Sequence, residues 1–488
     1  MKWTKAILPL ILSYILLGCN KQFDLEPISV ITSQNMWKTP NDAASGITGM
    51  YSQFRNTMNG EQFLVWFEFR SGFWQNGVSG AAQWTDLYMN TPTATATLFT
   101  DYSSFYNVIN SANLAIKYIP GITFTSTIEK NSLLAEAHFM RAFCYFALAR
   151  LWGDVPLVVE PIESIEDPKL YPERSKVNLV FDQIKSDIDK AGTLMEDKGV
   201  RNRIRASAAA VNMLKADVYL WTGKRLGGGN ADFTTALAAA DAVVANSANY
   251  QLLTSYEQVF RVDQNNEIIF SIFFAPTELP QNQYGQRFTF QATQVVAAAR
   301  NNPVPIGTSA NWHTLNNHYV TNYHNRTPGD TRAPVNYQVF TSGAATYRWV
   351  NKYLGELVSG NRLATSDTRI YRYAEAILFK AEAMNALGNS AGAILELNRI
   401  ARRAYNVTNF YPATLTVSQV NDAILRERIV EFTAEGKSWF DFIRFGKAFE
   451  LIPSLVGRQG DREGNILLFP IAPSTLSNNP KIKQTPGY

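Results

Sequence analysis

The chain has 488 residues, with 45 basic against 41 acidic side chains and a formal net charge of +4. That length supports a large buried core, and so even a charge balance carries no footprint of nucleic-acid binding. Aromatic residues make up 12% of the chain, more than helix packing needs, which suggests a surface that stacks on something.

The N-terminus reads as a secretion leader. Lys2 and Lys5 precede an apolar run from Ala6 to Leu17 that is too short for a comfortable membrane span. It ends in Leu16-Leu17-Gly18-Cys19, which resembles a bacterial lipobox. The resemblance implies cleavage before Cys19 and lipid on its sulfur and new amino end. Residues 1–18 are then a signal peptide and 19–38 a lipid-anchored tether. Cleavage removes Lys2 and Lys5 and no acid, so the net charge falls from +4 to +2. Cys144, the other cysteine, lies between Phe143 and Tyr145 and reads as inert core. With lipid on Cys19, no intramolecular disulfide is possible.

Helical signals follow. Thr39-Pro40-Asn41-Asp42 opens a helix to about Met58, with Ala43, Ile47, Met50 and Phe54 on one face. Further helices are expected over 102–119, 128–151, 177–196, 205–222 and 233–246, then over 368–387, 391–405, 417–435 and 438–449. One pattern occurs three times: Ala135 with Arg141-Ala142, Ala209 with Lys215-Ala216, and Ala374 with Lys380-Ala381. Small residues let helices approach closely, and the basic residue is expected to keep an outer edge wet. Gly223 and Gly388 read as helix stops. Such self-similarity predicts a mostly α fold of tetratricopeptide-like hairpins, with long irregular insertions and minor β structure. The helical repeats divide it into an N-terminal part, 39–250, and a C-terminal part, 251–488, within one compact unit.

Two stretches break the helical pattern. Residues 60–100 are rich in aromatics and glycine and read as an ordered loop region. Residues 278–350 are rich in Asn, Gln, Tyr, Pro and Gly, and follow a buried strand expected at 267–274. Long ordered insertions usually carry function. Sugars present apolar C–H faces to flat rings and hydroxyls to amides and acids. Trp74, Trp84, Asp86, Tyr284, Asn311 and Trp312 are the expected ligand-binding residues, with the two stretches serving one site. The proline-punctuated tail is expected to wrap the body.

Several segments together resemble the SusD/RagB family of outer-membrane nutrient-binding lipoproteins. They are the lipobox; Phe105-Tyr106 to Asn113; Ala135-Glu136 through Trp152-Gly153-Asp154-Val155-Pro156; Arg372-Tyr373-Ala374-Glu375 through Ala383; Glu427-Arg428 through Trp439-Phe440-Asp441 and Arg444; and the tail to Pro486-Gly487-Tyr488. The resemblance implies a cell-surface lipoprotein, held in the outer membrane through Cys19. It captures a glycan or other nutrient and delivers it to a TonB-dependent transporter barrel. It implies no catalysis and no cofactor.

Glu427, Glu431 and Glu435 fall on one helical face with Arg428, Asp441 and Arg444 nearby. Carboxylates so placed could serve acid–base chemistry in an all-helical glycosidase. The favoured reading is a structural ion network. A scaffold that binds only protein is the third reading. His138 reads as packing, and His313, His318 and His324 lack zinc-site spacing, so no metal is expected. Cys19→Ala is expected to leave the fold intact and release the protein from the membrane fraction. Cell fractionation checks it, and a cleaved variant that stays membrane-bound contradicts the lipobox.

Overall fold

The computed structural model describes residues 36–196, 199, 202–277 and 281–488. The leader, Cys19 and most of the tether lie outside the described residues. The first helix, α1 (Pro40–Met58), starts where the sequence places it. Thr39 Oγ1 accepts from Asp42 N at 3.2 Å, and the Asp42 carboxylate accepts from Thr39 N at 2.7 Å. This reciprocal cap satisfies two donors that the first turn leaves open. The buried face carries Ala43, Ile47, Met50 and Phe54.

Against α1 lie α2 (Glu61–Phe67), which the sequence reading leaves as loop, and α3 (Ser103–Tyr118). Next comes α4 (Thr127–Trp152), buried on every face from Ser132 onward. It packs along α3 and α5 (Val177–Leu194). Then α6 (Ala208–Arg225) pairs with α7 (Gly229–Val244), α8 (Tyr373–Ala386) pairs with α9 (Ser390–Tyr405), and α7 bridges to α8. The body ends with α10 (Val417–Glu431) and α11 (Ser438–Arg444). No helix among the described residues is long and apolar enough to cross a membrane.

The repeated basic residue does not keep an edge wet. Arg141 is buried and grips Asp187 of α5 at 2.6 and 2.8 Å. Lys215 meets Asp189 of α5 at 2.8 Å, and Lys380 meets Asp241 of α7 at 2.7 Å and Glu396 of α9 at 3.0 Å. In each copy the cation reaches an acid on a neighbouring helix. His138, read as packing, also bonds Asp187, at 2.7 Å.

Strands are short and occur in pairs. Where a helix is expected from 368, a strand runs first: β6 (Thr368–Arg372) pairs antiparallel with β2 (Ile268–Ile272), Thr368 opposite Ile272. Within the insertion, β3 (His313–Leu315) pairs with β1 (Trp74–Asn76), and β4 (Tyr337–Ser342) with β5 (Ala345–Val350). The tail wraps the body as expected. Phe469 N donates to Leu151 O at 2.8 Å, and Arg70 Nη1 donates to the carbonyls of Leu467 and Leu468 at 3.1 and 3.2 Å.

Gly388 ends α8 with φ of +86°, but Gly223 sits inside α6. A Cβ there would lie 2.5 Å from the Phe233 ring of α7, so this glycine is needed for close helix approach. Gly223→Ala is therefore expected to cost about 1–3 kcal/mol by overpacking the α6–α7 contact. Urea unfolding checks this, and Phe233→Leu in the same chain should recover part of the loss.

Candidate functional site

The two irregular stretches meet. In the β1–β3 ladder, Trp74 is opposite Leu315 and Asn76 opposite His313. The ladder continues through Gly77 N to Trp312 O and Ser79 N to Asn311 O, both 2.8 Å. A Cβ on Gly77 would lie 2.3 Å from Asn311 Oδ1, so only glycine lets these chains approach. At the other end Asn59 Nδ2 donates to Gln281 O at 3.1 Å, and Asn59 Oδ1 accepts from Gln283 N at 2.9 Å.

Four of the six expected ligand residues are core. Trp74 is 2% exposed, stacks on Phe288 at 5.7 Å and donates to Glu68 Oε2 at 3.4 Å. Trp84 is fully buried against Phe69, Phe99 and His313. Tyr284 is fully buried between Phe63 and Tyr353, at 5.2 and 4.9 Å. Asn311 is 1% exposed, and its amide donates to Phe288 O at 3.1 Å. The physical reason lies in the composition: these stretches hold few aliphatic residues, so rings fill the interior. Tyr347 and Trp349 likewise sit in a small core with Phe290 and Val304. His313 is buried, hydrogen-bonds Tyr88 at 2.8 Å, and burial pushes its pKa down to about 3, which keeps it neutral.

Asp86 and Trp312 reach the surface. Asp86 is exposed on the turn Thr85–Tyr88, and no hydrogen bond links it to Trp312. Trp312 is half-buried, with the Arg287 guanidinium 4.4 Å from its ring centre. Arg287 pairs with Glu61 at 2.7 Å and donates to Ser309 Oγ at 2.8 Å. Burial pushes the Glu61 carboxyl up, with Arg287 pulling the other way. Beside the Ser79–Asn311 backbone bond, the Gln294 side chain donates through Nε2 to Ser79 Oγ at 2.7 Å. An indole edge rimmed by a guanidinium, a carboxylate, hydroxyls and amides can hold a sugar's apolar face and its hydroxyls. Arg287, Glu61 and Gln294 were missed in the sequence because no spacing links them to Trp312.

The charged cluster is structural. Glu427, Glu431 and Glu435 are each 3% exposed or less. Their partners come from far along the chain. Arg332 holds Glu427 at 2.7 Å, Arg372 holds Glu435 at 2.7 Å and Glu431 at 3.1 Å, and Lys352 holds Glu435 at 2.7 Å. Arg403 bonds Glu431 and, at 2.8 Å, Glu267. Beside them Arg428 bonds Asp441 and Glu375, both at 2.9 Å, while Arg444 bonds Glu382 at 3.0 Å. Arg428, Asp441 and Arg444 line a void of about 30 Å³, room for water and not for a sugar ring. No local signal marked those partners: Arg332 follows the turn-like run Thr327-Pro328-Gly329-Asp330-Thr331, and Arg403 stands beside Arg402.

Burial alone would raise the Glu431 carboxyl; Arg403, Arg372 and Arg332 outweigh it and hold it well below the carboxylate range. Burial would likewise raise Glu382, but Arg444 and Lys224 bring it down from 4.5 to about 2. Glu68 carries no such cluster. It accepts from Gly436 N at 2.7 Å, and burial dominates, pushing it up to about 7.

The comparisons with known proteins agree with this architecture. A model described as the SusD family matches residues 297–488, and one described as starch-binding associating with outer membrane matches residues 33–220. SusD-like protein P38 of Formosa agariphila is 28% identical, covering 97% of this chain and 96% of its own. The starch-binding protein SusD of Bacteroides thetaiotaomicron is 23% identical, covering 78% of this chain and 76% of its own. Among solved structures, B. fragilis NanU superposes with a TM-score of 0.82 at 29% identity, over 95% of this chain and 100% of that one. The chain belongs to the SusD family.

Glu431→Gln removes one carboxylate from among three guanidiniums and is expected to cost about 3–5 kcal/mol, measured by denaturant unfolding. Glu382 has a folded pKa below its ordinary 4.5. Its ionised form therefore stabilises the fold above that value, and the contribution is lost as pH falls toward about 2. Melting temperatures taken over that window should fall steeply for wild type and less for Glu382→Gln, which starts lower.

Proposed function

We propose that the protein is a lipid-anchored receptor on the outer-membrane surface that captures an oligosaccharide and passes it to a TonB-dependent transporter barrel. Family membership supports this reading, together with the match to the starch-binding model and the similarity to the starch-binding protein SusD. The observation that carries the glycan assignment is the half-buried Trp312 in its polar rim, where the two irregular stretches join. The carboxylates of Glu435 and Asp441, ion-paired beside a water-sized void, support a role without hydrolysis. Delivery to a transporter and lipid on Cys19 follow the family pattern.

Losing a ring that packs on a sugar costs about 1–2 kcal/mol, or roughly tenfold or more in affinity. Trp312→Ala is expected to weaken glycan binding by that factor, while Trp74→Ala and Trp84→Ala unfold or destabilise the protein instead, because they open cavities. Calorimetric titration against a panel of oligosaccharides, alongside thermal melts, separates the two effects. Unchanged affinity in a folded Trp312→Ala variant places the site elsewhere. Release of reducing ends by the purified protein contradicts the receptor reading.

A further inference from the structure

A cleft of about 370 Å³ opens beside α10, lined by none of the residues around Trp312. That volume lies in the range of small-molecule sites. Its shape comes from the insertion. Residues Val320–His324 wind as a π-turn, closed by Asn325 N to Val320 O at 2.9 Å, and such turns recur at functional sites. The turn sets Tyr323 and, just beyond it, Arg326 along the cleft, facing Tyr411 and Arg426.

The two rings are fixed from behind. Tyr411 donates its hydroxyl to Glu427 of the ion network. Tyr323 packs edge-on to Phe73 at 5.0 Å and parallel to Tyr319 at 6.1 Å. It remains half-buried, and its hydroxyl bonds no described residue. Burial pushes that phenol up to about 12, with Arg326 pulling the other way, so it stays a neutral hydrogen-bonding group.

The charges are uneven along the cleft. Lys447 is answered by Glu450 at 2.8 Å and Asp422 at 3.8 Å. No carboxylate of a described residue lies within ion-pair reach of Arg326 or Arg426, Asp422 one turn before Arg426 on α10 being turned to Lys447, and Arg426 donates only to the Thr327 hydroxyl. Arg326 is exposed and Arg426 half-buried. Two guanidiniums without an ion-pair partner beside a phenol ring form a receptor for an oxyanion, carboxylate or sulfate, attached to a ring-shaped body.

We propose that this cleft is a second ligand subsite, taking a sugar unit that bears a carboxylate or sulfate group. The sugar ring packs on Tyr323 and the anionic group bridges Arg326 and Arg426. The assignment rests on the reading of the chain as a glycan receptor. It narrows the ligand class to acidic or sulfated saccharides at this position.

The test uses D-galacturonate, D-glucuronate and D-galactose 6-sulfate as probes, with D-galactose as the neutral control. Binding to the mature chain is followed by ligand-observed saturation-transfer NMR and by calorimetry. At least one anionic probe should bind more tightly than D-galactose, and raised salt should weaken it. Arg326→Ala and Arg426→Gln should each weaken it about tenfold or more, with Trp312→Ala leaving it in place. Arg326 is exposed, so its variant keeps the fold, and a thermal melt verifies that. If no anionic probe exceeds D-galactose while neutral oligosaccharides bind through Trp312, the subsite is wrong and the receptor reading stands. If an anionic probe binds with equal strength to both arginine variants, the subsite is also wrong. If no saccharide binds at all, both readings fail together.

Discussion

The fold depends on the buried charges gathered at the end of α10. Glu431 accepts from Arg332, Arg372 and Arg403, which belong to the insertion, to the end of β6 and to α9. Glu267, at the head of β2, shares Arg372 and Arg403 with it. Each of these groups would be costly to bury alone, and removing one leaves the others unpaired. Segments far apart in the chain must therefore arrive together. Ion pairs of this kind add little net stability over apolar packing. Here they tie β2, the end of β6, α9 and the insertion to the end of α10.

The same region anchors the irregular stretches. Gly436, with φ of +77° in the turn after α10, donates its N–H to Glu68. Glu68 accepts in turn from the Trp74 indole. The path from the ion cluster to the β1–β3 ladder thus runs through a few hydrogen bonds inside the protein. An insertion poor in aliphatics becomes rigid in this way, its rings packed as a core and its polar edges left at the surface. Trp312 stands immediately before β3 in the chain, and Tyr323 follows it in the turn beyond.

The helical scaffold was largely legible from the chain. Apolar spacing and the Thr39–Asp42 cap placed α1, and the long helices fall within a few residues of their expected bounds, because local spacing and caps act over one or two turns. The exceptions have local causes too. The five residues from Thr368 pair with β2 before α8 begins, since a distant strand offers them a ladder. Gly223 could not be recognised as an approach point without knowing that Phe233 lies across from it.

The site was legible only in outline. The chain's composition marked 60–100 and 278–350 as candidate functional stretches, and the structure joins them residue to residue in β1 and β3. Which rings face solvent was not legible. A tryptophan in an aromatic-rich loop is written the same way whether it fills the core, as Trp74 and Trp84 do, or borders the surface, as Trp312 does. The sequence by itself determined the helices, the recurrence of a cation at one position of the repeat, and the presence of a paired charge cluster. Tertiary structure decided the partners of those charges and the exposure of each ring, because both depend on segments hundreds of residues away that only packing brings together.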